Sequence, residues 1–61
     1  METFLVILNM ISVENTYSIT ALMGEFTSFK QCEFFATGLV ATLVDDPTSQ
    51  WISGMSQCLP P

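Results

Sequence analysis

The chain has 61 residues, 49% hydrophobic and 11% charged, with six acids against one basic residue, no histidine and a net charge of −5. That length holds a single small domain, residues 1–61, and one that buries only about 60% of its unfolded surface is marginal unless something staples it. With Lys30 as the sole cation, phosphate-neutralising nucleic-acid binding is close to excluded; general acid–base catalysis by His is excluded outright, and the apolar content argues against disorder.

Thr3 to Ser12 is dense in Val, Ile, Leu and Phe and has strand length. Both parities are apolar, Phe4, Val6, Leu8 and Met10 on one and Leu5, Ile7 and Ile11 on the other. A strand covered on both sides reads this way, which predicts a central position. Val13-Glu14-Asn15-Thr16 then interrupts the pattern. Thr16 to Met23 alternates more clearly: Tyr17, Ile19, Ala21 and Met23 share one face, and Ser18, Thr20 and Leu22 the other.

Ser28 to Val44 reads as a helix, because Phe29, Cys32, Ala36, Leu39, Val40 and Leu43 fall on one stripe at helical spacing. Ser28 followed by Gln31 forms an S-x-x-Q capping box. The charges oppose the helix dipole, with Lys30 in the first turn and Asp45-Asp46 after the last. Tertiary contacts must outweigh this, or Asp46 caps a short turn beginning at Pro47. Trp51 to Leu59 is expected as a third strand, with Gly54 its weak point.

The order strand, strand, helix, strand constrains the topology. A right-handed crossover through the helix sets the third strand parallel to the second. With the first strand between them, all neighbours are antiparallel and the most apolar strand is central. The expected fold is α+β, a three-stranded antiparallel sheet of order 2-1-3 with one helix packed on one face, ββαβ.

Cys32 stands one turn into the helix and Cys58 near the end of the last strand. The helix runs about 18 Å from Cys32 to Val44. The strand returns about 23 Å from Trp51 to Cys58, so the two thiols should meet. A disulfide there would contribute roughly 3–4 kcal/mol in the chain-entropy account. Two buried thiols packing as small hydrophobes is the alternative. No C-x-x-C motif supports redox catalysis, and two thiols without imidazole do not make a zinc site. Asp45-Asp46 beside Pro47 reads as a solvated turn rather than a cation site, and no phosphate loop or nucleophile–base pair is present. No enzyme, cofactor, metal or small-molecule substrate is expected.

If Cys58 faces the helix, parity sends Trp51, Ser53, Met55, Gln57 and Leu59 to the opposite, open face. Asn9 prefers that wetter side. The open face is then expected to carry Leu5, Ile7, Ile11, Leu22, Trp51, Met55 and Leu59, more apolar surface than a soluble monomer usually exposes. The outer helix side shows Phe34, Thr37, Gly38 and Ala41, with Lys30 its one charge. Weakly charged faces on both sides predict contact with protein partners or with further copies.

A β-hairpin after an uncharged apolar start, a helix opening T-S-F-K-Q-C-E with an early Cys, and a last strand ending Cys-Leu-Pro resemble the small orphan proteins of tailed bacteriophages. The resemblance spans most of the chain as a layout and carries no catalytic or binding residue. It implies a viral accessory or virion component. The expected role is a non-enzymatic structural or interaction protein held through its open sheet face. A small acidic inhibitor docking on a host enzyme is the first alternative, and a secreted disulfide mini-protein the second. No stretch of about 20 apolar residues offers a membrane span, and no basic n-region marks a signal peptide, so host cytoplasm or virion is the expected location.

Overall fold

The computed structural model describes residues 1–60. Its elements are β1 (Glu2–Ser12), β2 (Tyr17–Phe26), α1 (Phe29–Asp45) and β3 (Trp51–Leu59). The three strands form one sheet of order β2-β1-β3, with both neighbouring pairs antiparallel. The expected ββαβ fold is therefore present, and the most apolar strand is its centre.

The hairpin register follows from its turn. Asn15 N–H donates to the Ser12 carbonyl at 2.9 Å, Ser12 N–H donates to the Thr16 carbonyl at 2.9 Å, and Asn15 has φ 63°. A type I turn followed by a left-handed residue is a favoured hairpin closure, and Asn tolerates that conformation well. Ser12, 1% exposed, holds the turn from inside. Its Oγ accepts from Glu14 N–H at 3.2 Å and Thr16 N–H at 3.1 Å, and lies 2.5 Å from Thr16 Oγ1. The buried hydroxyl is thus satisfied, as burial demands.

This turn pairs Ile11 with Tyr17, Ile7 with Ala21 and Val6 with Leu22. Residues directly opposite share a face. Even-numbered residues of β1 and β2 therefore lie on the helix side and odd-numbered ones on the open side. Phe4, Val6, Leu8 and Met10 are buried on the helix side with Cys32, Ala36 and Cys58. Leu39, Val40, Leu43 and Val44 pack against this core from the helix. The aromatic end of the core is a run of tilted rings: Phe4 lies 6.2 Å from both Phe26 and Phe29, and Phe26 lies 5.3 Å from Phe35.

Local chemistry fixes both helix ends. Ser28 Oγ accepts from Gln31 N–H at 3.2 Å, as an N-cap should. Gln31 Oε1 accepts from Thr27 N–H and Thr27 Oγ1, both at 2.8 Å, so the reciprocal half of the box lands one residue before the cap. At the other end Asp46 Oδ1 accepts from Thr48 N–H at 2.9 Å and Thr48 Oγ1 at 2.7 Å. These two bonds favour the carboxylate and hold the Asp46 pKa below its ordinary value. The turn at Pro47 is thus capped by Asp46. Ser49 Oγ donates to the Leu43 carbonyl, which satisfies one of the helix's last free acceptors.

Gly54 has a packing role that its position in a strand does not reveal. It pairs with Met10 on the helix side. A Cβ there would collide with Met10 Sδ and come within 2.9 Å of Met10 Cε and 3.0 Å of Val40 Cγ1. The missing side chain lets Met10 lie across β3 beneath the helix. Gly54→Ala is expected to lower stability by roughly 1–3 kcal/mol through overpacking, read as a shifted urea midpoint. An unchanged midpoint would show that flexible Met10 yields freely.

Candidate interaction surface

The helix lies over β3 and β1 and barely reaches β2. Among the described residues no element covers the opposite sheet face. Its side chains follow from register: Leu5 beside Met23 and Leu59, Ile7 beside Ala21 and Gln57, Asn9 beside Ile19 and Met55, and Ile11 beside Tyr17 and Ser53. The polar member Asn9 is engaged, since Tyr17 Oη donates to its Oδ1 at 2.6 Å. Met55 is 72% exposed, Met23 66% and Ile19 61%. Leu5 and Ile7, flanked by strands on both sides, are half-buried even without a cover.

Leu5, Ile7, Ile11, Met55 and Leu59 thus share the open face as expected. Two residues expected there do not. Leu22 pairs with Val6 and lies on the helix side, because the hairpin pairs even positions with even ones. It is 37% exposed there, since the helix meets β2 only near its Phe26 end. Trp51 is displaced by a β-bulge. Ile11 pairs with Ser53 but Ser12 with Trp51, which leaves Ile52 as the extra residue. The bulge shifts the alternation by one, so Trp51 joins Ser12 on the helix side and packs against the core. The expected open-face anchor is therefore a half-buried residue packed against the core.

Tyr17, Ile19, Ala21 and Met23 take the vacated places. Their common stripe is visible in the sequence; assigning it to the open face requires the turn geometry at Asn15. Phe34 stands apart from this face, 84% exposed on the outer side of the helix. There it borders an open apolar groove of about 640 Å³ with Met1, Phe26, Phe35, Gly38 and Leu39.

Charge is distributed away from the open face. Glu14 is in the hairpin turn, Glu33 on the helix, Asp45 and Asp46 at its end, and Glu2 at the start of β1 on the helix-side parity. Glu25 alone has open-face parity, opposite Thr3 at the corner where β2 ends, where it also borders the groove at Phe34. Both outer strands also have a free edge, and β2 carries neither Lys nor Pro to guard it.

Cys32 and Cys58 stand at disulfide distance, with Cα atoms 6.3 Å apart, inside the roughly 4.4–6.8 Å range such a bond requires. Both are buried. They join the first turn of the helix to the end of β3, as the element lengths predict. Among the described residues no three His, Cys, Asp or Glu side chains converge as metal ligands. No helix among them is long and apolar enough to cross a membrane. No family model, no curated protein and no solved structure matches this chain.

Proposed function

We propose that this chain is a non-enzymatic structural or interaction protein that docks through its open sheet face. The observation that supports this most is that face itself: Leu5, Ile7, Ile11, Tyr17, Ile19, Met23, Met55 and Leu59 with one charge, at a corner. An exposed apolar patch rimmed by polar groups is a common mark of a protein contact. Tyr and Met are also favoured at such contacts.

The layout resemblance makes a phage accessory or virion component the concrete form of this reading. We also infer that Cys32 and Cys58 are bonded once the chain reaches an oxidising environment, where a domain this small gains most from a staple. An inhibitor that steers onto a basic enzyme would draw on gathered acids, and here they are dispersed over the turn, helix and strand ends.

The test is co-purification from the native source, tracking whether the chain sediments with a large particle. The reading predicts that it does, and that Ile7→Lys releases it. A chain that stays free in both forms would count against it.

A further inference from the structure

Resting on that reading, we propose that the partner on the open face is a second copy of this chain, stacked face to face as a two-sheet sandwich with Ile7 at the two-fold axis.

Three observations converge on a second copy. The first is charge. A chain of net charge −5 repels its own copy over most of its surface, yet five of its six acids lie outside this face. The sixth, Glu25, occupies a corner. In a face-to-face pair the two-fold lies between the sheets, either along β1 or across it. Along β1, Glu25 comes over the copy's β3; across β1, it comes over the end of β2 that begins at Tyr17. In neither arrangement do two Glu25 carboxylates meet, so the face is compatible with itself.

The second is area. The chain is 37 Å long, and three strands about 4.8 Å apart with their side chains make a face about 15 Å wide. Two such faces bury on the order of 1,000 Å² before side-chain relief is counted, which reaches the size at which specific interfaces begin. Sheets pack about 10 Å apart with their strands within about 30° of alignment, so two apolar faces of equal width and equal twist fit without insertions.

The third is symmetry. β1 is the central strand, so either two-fold lays it across its own copy. Ile7 is the middle residue of Glu2–Ser12 and is flanked by Ala21 and Gln57. Maximal overlap therefore sets Ile7 against the copy's Ile7, an isologous contact.

A charge exchange at this residue tests the proposal. Wild type should show reversible dimerisation in sedimentation equilibrium. Ile7→Lys and Ile7→Glu should each weaken it at least about 100-fold, because like charges then face each other across a desolvated centre. Mixing the two variants should restore a one-to-one dimer, a result that only a residue facing its own copy gives. Circular dichroism checks that each variant folds. Met55→Lys, at a side chain 72% exposed in the single chain, repeats the test where the fold is not at stake.

A dimer indifferent to Ile7→Lys is joined elsewhere, for example edge to edge through β2, and overturns the proposal, as does a mixture that stays monomeric. A wild-type monomer that nevertheless loses a native partner on Ile7→Lys overturns the second copy and leaves the docking face standing. A monomer that binds nothing through this face overturns both.

Discussion

Reducing a Cys32–Cys58 bridge should remove roughly 3–4 kcal/mol of stability, the largest single effect expected in this chain. The loop it closes spans 26 residues, from the first turn of α1 to the end of β3. It holds the helix onto the sheet, where the helix side of β2 contributes little. Domains of this size have about 3–9 kcal/mol in total, at 0.05–0.15 kcal/mol per residue. Reduction should therefore remove about a third of that stability at the upper end of the range and all of it at the lower end. Urea unfolding with and without reductant measures this, after thiol counting establishes the starting state. Equal midpoints, or two free thiols in protein purified under oxidising conditions, would contradict the staple.

Trp51→Ala should cost about 2–3 kcal/mol of folding stability and leave any association of the surviving folded protein unchanged. Full burial of a Trp would make the loss about 3–5 kcal/mol. Trp51 is only half-buried, packing against the core beside Ser12, so the lower range applies. Ile7→Lys should show the reverse behaviour, with association lost and folding largely retained. Thermal melts and sedimentation on both variants separate the two roles. If Trp51→Ala dissociates the assembly at an unchanged melting temperature, Trp51 is a surface anchor and its role in the core is refuted.

The contrast between these residues shows what the sequence can carry. The central position of β1 is legible because both parities of Thr3 to Ser12 are apolar. The helix is legible because its stripe begins at a Ser28 cap and stops before Pro47. Cysteine proximity follows from element lengths alone. Trp51 is not legible, since a bulge reverses every side chain beyond it and no Gly or Pro marks Ile52 as the extra residue. Leu22 fails for a related reason. Its face depends on the loop parity set by Asn15 in the left-handed conformation, and composition is silent on that. The role of Gly54 emerges only once Met10 and Val40 are seen converging above it.

Methionine oxidation tests the docking face most directly, because the chain carries its own controls. Met1 is 84% exposed and Met10 only 3%, while Met23 and Met55 lie on the open face at 66% and 72% in the single chain. Sulfoxide formation follows exposure. Under brief peroxide treatment of the assembled protein, Met23 and Met55 should be protected like Met10 while Met1 reacts. In Ile7→Lys or on strong dilution, Met23 and Met55 should react at nearly the rate of Met1, with Met10 still protected. If Met23 and Met55 oxidise as fast as Met1 at every concentration and in the native source, the open face is bare and the account fails.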